Sequence, residues 1–123
     1  MEIINRNSCK EFVAQDEAVV RELVSPRNSS LKNQSIAEVT IPVGTTVREH
    51  YHKKTEEVYY LISGKGEMSL DGETKIVGEG DSIVILPEQK HKMKCIGDED
   101  LVMVVTCSPS YTDEDQIITD DTV

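Results

Sequence analysis

Two of the three histidines in the chain, His50 and His52, stand one residue apart, and Glu57 follows five positions after the second. The third, His91, closes a later glycine-bounded run, GDSIVILPEQKH. Imidazole nitrogens joined by a carboxylate suit a catalytic divalent transition metal. Metal ligands must be deprotonated, and neutral imidazoles with one carboxylate leave a net positive site around a divalent ion. Around an octahedral ion such a set leaves two positions open, as catalysis or ligand capture requires. Taken alone, the histidines also admit a plainer reading. An HxH pair arises by chance, and a lone histidine is commonly a surface residue or a satisfied core residue.

The elements that must position these residues are strands. Successive side chains of an extended strand point to opposite faces, so His50 and His52 project to one side and Tyr51 to the other. The polar turn Lys53-Lys54-Thr55 is long enough to bring a second strand alongside, on which Glu57, Tyr59 and Leu61 share a face. His91 arrives from a distant hairpin and joins them only if the sheet curls, as in a barrel. From Ser35 onward, short apolar or alternating runs recur with Gly, Pro and Asp between them. Ala37, Val39 and Ile41 alternate, and Val58 to Ser63 is rich in strand formers. Asp71-Gly72 is a strong hairpin signal. Ser82 to Leu86, Lys90 to Ile96 and Leu101 to Cys107 complete the series. This pattern predicts an all-β sandwich or barrel. Residues 1–34 are less regular: the Val19–Val24 piece fits a strand as well as part of a helix, and Pro26 to Asn33 is turn-rich. The residues from Thr112 are acidic and weakly patterned, which predicts a loosely held end. Three segments are therefore expected. They are an extension over 1–34 packing on the barrel or on a partner subunit, a barrel over 35–111, and an acidic tail over 112–123.

The 123 residues fit one compact domain. With 23 acidic against 13 basic residues and a net charge of −10, the chain lacks the basic patch that nucleic acid or an anionic membrane demands. No run approaches the roughly 18 apolar residues of a membrane helix, and MEIINRNSCKEF lacks the apolar core of a secretion signal. Cys9, Cys95 and Cys107 are odd in number, widely spaced and without a CxxC pair. This predicts reduced thiols in a soluble cytoplasmic protein.

Gly44, five residues, His50-x-His52, four residues, Glu57, six residues, Gly64 resembles the first sequence motif of the cupin superfamily at every fixed position. Gly80 and His91 stand at the separation of the second motif. There the proline is displaced by one to Pro87, Glu88 takes the usual glycine position and Cys95 the usual asparagine position. The resemblance, to small single-domain cupins, covers roughly Ser35 to Tyr111. It implies a double-stranded β-helix, or jelly roll, with His50, His52, Glu57 and His91 as ligands of one divalent transition metal (Fe, Mn, Zn, Ni or Co). It also implies a homodimer.

Around that centre, Tyr59 shares the face of Glu57 and is the candidate acid or base, against ordinary core packing. Met93 and Cys95 share the face of His91 and are expected to wall a substrate pocket. Cys107, at the end of an inward-facing run, would approach the metal, and Arg48 would hold an anionic group of the substrate. The expected function is a metal-dependent enzyme acting on a small polar molecule, either an oxidoreductase of dioxygenase type or an isomerase or lyase. A non-catalytic module that binds a small molecule or metal is the alternative, and a structural barrel with a degenerate site is the third reading. Retained ligand without turnover on a broad substrate panel would favour the module.

Overall fold

The computed structural model describes residues 1–120. Alternation of buried and exposed side chains builds its strands. In β5 (Glu56–Ser63), Glu57, Tyr59 and Leu61 are buried while Glu56, Val58, Tyr60 and Ile62 are exposed. The other strands are β1 (Glu11–Val13), β2 (Val19–Val24), β3 (Ser35–Ile41), β4 (His50–His52), β6 (Lys65–Leu70), β7 (Glu73–Gly78), β8 (Ser82–Ile85), β9 (His91–Cys95), β10 (Leu101–Ser108) and β11 (Gln116–Ile118). No α-helix occurs among the described residues, and no helix is long and apolar enough to cross a membrane.

All strand pairings are antiparallel, in a six-stranded sheet ordered β1-β2-β3-β10-β5-β8 and a five-stranded sheet ordered β11-β4-β9-β6-β7. The two sheets form an all-β jelly roll. Their inward faces meet in a core that includes Ile41, Leu61, Ile85, Met93, Leu101 and Met103. Each fully buried aliphatic side chain of this kind contributes about 1.5–3 kcal/mol relative to exposure.

Two turns show why the sequence punctuates where it does. Asp71 and Gly72 have φ of +47° and +85°, the left-handed pair of a type I′ hairpin, which suits the twist of β6 and β7. The same turn supports the site. The Asp71 amide donates to the Lys90 carbonyl at 2.8 Å, and the Lys90 amide donates to Asp71 Oδ1 at 2.9 Å, one residue before His91. Gly64 has φ +90°, and a Cβ there would lie 2.6 Å from the Asp100 carbonyl oxygen and 2.8 Å from the Leu101 Cα. Only glycine lets the start of β10 pass so close.

Val19–Val24 is a strand. β2 pairs with β3, and β1 folds back on β2 to widen the larger sheet. The acidic end is not loosely held where it is described: β11 pairs with β4, placing Gln116 opposite His52 and Ile118 opposite His50. A three-residue strand is too short to show a period in sequence, but it covers the free edge of β4. Residues 121–123 of the expected tail lie outside the described residues. Cys9, Cys95 and Cys107 are all free thiols.

Candidate metal centre

His50 on β4 is paired directly with His91 on β9, and alternation places His52 on the same inward face. The three imidazoles are buried and offer nitrogens that all lie within 4.8 Å of one another. Glu57 comes from β5 in the other sheet, so the curl of the barrel is what joins it to the histidines. It falls outside the group of three, yet its Oε1 lies 3.4 Å from His52 Nε2 and 3.3 Å from His91 Nε2.

The rings are aimed by their outer nitrogens. His50 Nδ1 donates to the Arg48 carbonyl at 2.7 Å and His91 Nδ1 to the Gln89 carbonyl at 2.9 Å. These acceptors assign the proton to Nδ1 and leave the Nε2 lone pairs facing inward. His52 Nδ1 lies 3.9 Å from Asp115 Oδ2, beyond hydrogen-bonding range. Asp115 is itself fixed by the Lys54 and Thr55 amides at 3.0 and 3.2 Å. The Cys107 thiol donates to Glu57 Oε2 at 3.6 Å.

Four buried polar atoms here, His52 Nδ1 and Nε2, His91 Nε2 and Glu57 Oε1, have no hydrogen-bond partner. Such atoms cost about 1–3 kcal/mol each when left unsatisfied. Three of them converge on one another, and their donor types fit a divalent transition ion.

Charge follows burial. Desolvation pushes the His50 imidazole down to about 4, aided by nearby His91 and opposed by Asp16. Burial also works against charge on His52, but the Glu57 carboxylate at 3.4 Å, then Asp115 and Asp16, outweigh it and raise its pKa. Burial opposes the Glu57 carboxylate as well, and His52 and His91 overcome this, holding it far below the usual carboxylate range. Burial, then the Glu57 charge, pushes the Tyr59 phenol and the Cys107 thiol up. Both therefore stay protonated, as donors rather than bases.

A cavity of about 60 Å³ opens beside the centre, lined by His50, His52, Glu57, Tyr59 and Cys107 together with apolar residues from β2, β3 and β10. The Tyr59 ring stands 6.0 Å from that of His91, centroid to centroid. Arg48, Met93 and Cys95 do not line this cavity, contrary to expectation. Met93 and Cys95 do share the His91 face, but at about 3.3 Å per residue the strand carries them away from the ligand. Met93 Sδ packs over Gly66, and the Cys95 thiol donates to the Glu99 carbonyl at 3.2 Å. Arg48 precedes β4, so strand alternation does not govern it. Its guanidinium donates to the Asp120 carbonyl at 2.8 Å.

Three residues were missed by sequence reasoning. Asp16, at the tip of the β1–β2 hairpin, is buried and places Oδ2 3.5 Å from His50 Nε2. Gln116 lines the cavity and Asp115 faces His52. For Asp16 a signal existed: apolar pairs Phe12-Val13 and Val19-Val20 flank Ala-Gln-Asp-Glu-Ala, the outline of a hairpin.

Three buried histidines and a carboxylate from the facing sheet, inside a jelly roll, make a candidate metal centre of a small β-barrel. A profile of the Cupin domain matches residues 37–107, and the chain belongs to the cupin family. An uncharacterised protein of Methanocaldococcus jannaschii is 38% identical over 106 residues, covering 86% of this chain and 85% of that one. The polyketide synthase CurC of Streptomyces cyaneus is 36% identical over 66 residues, 54% of this chain and 43% of its own length. Among solved structures, the nucleoside dehydratase Pac13 of Streptomyces superposes with a TM-score of 0.79 at 17% identity, covering 98% of this chain and 92% of that one. The polyketide cyclase RemF of Streptomyces resistomycificus gives 0.76 at 19% identity, covering 88% and 79%. At such identities these two likenesses establish the fold.

Proposed function

We propose that this cupin is a metal-dependent enzyme acting on a small molecule, with His50, His52, Glu57 and His91 holding one divalent transition metal of the Fe, Mn, Zn, Ni or Co group. The observation that carries this reading is the convergence of unsatisfied buried atoms on His52, His91 and Glu57 beside a cavity. When bound, such an ion polarises a substrate oxygen or, if it is iron, supports oxygen activation. The chain's own residues do the rest. The Arg48 and Gln89 carbonyls orient the imidazoles, Cys107 steadies Glu57, and the Tyr59 phenol, kept protonated in the cavity wall, is the candidate donor to a ligand. Apolar walls exclude bulk water.

Both a dioxygenase-type oxidoreductase and an isomerase or lyase fit this arrangement. The resemblance to a dehydratase and a cyclase supports the second. The exposed Tyr60, Ile62 and Val84 on the outward face of β5 and β8 support a homodimer, which sedimentation velocity would check. The free cysteines support a reducing, cytoplasmic location.

Elemental analysis of untagged protein purified without chelator, beside His91→Ala, tests the proposal. About one transition metal per chain, lost in the variant, is the expected result. Iron would direct assays to oxygen consumption, and zinc or manganese to isomerase and lyase substrates. Absence of metal after reconstitution would overturn the reading.

A further inference from the structure

The cavity wall carries charge of one sign. Asp16, Glu22 and Glu57 line it, and among the described residues no Lys or Arg does. Glu22 is neutralised from outside, because both its oxygens accept from Arg27 Nη1 at 2.9 Å. Among the described residues, no Lys or Arg pairs with Asp16 or Glu57. The one arginine that sequence placed near the site, Arg48, points to the Asp120 carbonyl instead.

Asp16 is held in place by its own loop. Its Oδ1 accepts from the Ala18 amide at 3.0 Å, and its carbonyl accepts from the Arg48 amide at 2.8 Å. The Ala14 amide closes the loop onto the Ala18 carbonyl at 2.9 Å, with Glu17 at φ +77°. Gln15 Nε2 ties the loop to the Asp113 carbonyl at 3.0 Å. Asp16 Oδ2 is left toward the cavity, with long contacts to His50 Nε2 at 3.5 Å and Gln116 Nε2 at 3.4 Å. It keeps acceptor capacity for a ligand, since a carboxylate oxygen takes more than one hydrogen bond.

The charge count is decisive. A divalent ion is balanced by Asp16 and Glu57 with the imidazoles neutral, and Asp115, 3.9 Å from His52, adds further negative charge, so the site has no positive charge to spare before a ligand enters. A phosphate or dicarboxylate dianion would add two uncompensated negative charges to a buried apolar cavity, a cost of several kcal/mol. A neutral molecule adds none. The remaining wall is apolar (Ala18, Val20, Val39, Met103 and Val105 among it), and about 60 Å³ is several times the roughly 10–15 Å³ one water needs.

We infer that the site takes a small neutral molecule with an apolar body and a hydroxyl group, that Asp16 accepts the hydrogen bond from that hydroxyl, and that phosphorylated and dicarboxylate ligands are excluded. The charge balance rests on the metal-centre reading above. The N-terminal hairpin is then a specificity element.

Isothermal titration calorimetry on metal-loaded protein tests this with three probes on one ring: 2-hydroxycyclohexanone, cyclohexanone and cyclohexyl phosphate. Wild type should bind the hydroxyketone at least tenfold more tightly than either of the others. Asp16→Ala should bring hydroxyketone and ketone within about twofold of each other. Asp16→Asn, which keeps an oxygen acceptor and removes the charge, should retain the hydroxyl preference and bind the phosphate at least fivefold better than wild type does. Phosphate binding as tight as hydroxyketone binding in wild type, or an unchanged hydroxyl preference in Asp16→Ala, would overturn the inference. Metal content of each sample separates this outcome from failure of the metal centre itself.

Discussion

In the metal-free protein, the buried pair His52 and Glu57 should be a liability that the fold carries for its site, and two substitutions expose it. His52→Leu alone leaves a carboxylate that is only 5% exposed with His91 at 3.3 Å as its remaining imidazole. Removing one member of a buried charge pair costs about 3–5 kcal/mol. Small domains have only about 5–15 kcal/mol in total, so the single variant should lose roughly a fifth of its stability or more. His52→Leu with Glu57→Leu removes both charges and, with them, three of the unsatisfied atoms: both His52 nitrogens and Glu57 Oε1. That double variant should match wild type or exceed it by about 1–4 kcal/mol, the range seen when buried ion pairs become apolar. Urea unfolding of chelator-treated protein, followed by circular dichroism, reads both values. Metal reverses the order. Wild type should gain about 2.7 kcal/mol at a free metal concentration a hundred times its Kd, and neither variant should respond. A double variant as unstable as the single one, or one that metal still stabilises, would refute the reasoning.

Gly64→Ala should destabilise by roughly 3 kcal/mol or more, because a left-handed residue costs about 1–2 kcal/mol and the new Cβ meets Asp100 and Leu101 backbone at 2.6 and 2.8 Å. Gly72→Ala, at φ +85° but with nothing within 4 Å, should cost only the first part; equal melting shifts for the two would contradict the close approach. Metal-free protein should lose stability as pH falls. His50 titrates near 4 when folded against 6.5 when unfolded, so its contribution is present above 6.5 and declines by on the order of 3 kcal/mol toward pH 4. His52, shifted upward, acts with the opposite sign as pH rises past 6.5. Urea midpoints at pH 7 and pH 4.5 check this, and His50→Gln should flatten the difference; a wild type more stable at the lower pH would contradict it.

The buried cluster was legible because strands as regular as β5 and β9 convert sequence alternation directly into a buried face: Glu57, Tyr59 and Leu61 on one, His91, Met93 and Cys95 on the other. Alternation fixes the face but not the depth along it, which is why Met93 and Cys95 left the pocket while Tyr59 and Cys107 stayed. It also says nothing outside a strand. Arg48, two residues before His50 but ahead of β4, turned away to the Asp120 carbonyl. Asp115 and Gln116 were invisible for a different reason. Gln116 opens a strand only three residues long, Asp115 lies in the short turn before it, and the partner strand β4 lies more than 60 positions earlier in the chain.

This division has a functional logic. The four candidate ligands sit on β4, β5 and β9, where cross-strand pairing on rigid elements holds the donor atoms in register. Asp16 on the β1–β2 loop and Gln116 on β11 line the cavity from segments outside these three strands. Loops and short edge strands tolerate change in ways that paired core strands do not, so on the proposed reading the cavity wall can vary while the candidate ligands stay in place. The weak sequence pattern there has a physical cause: a short hairpin tied to the barrel by the Arg48 amide and the Gln15 side chain needs no long apolar period to hold its place.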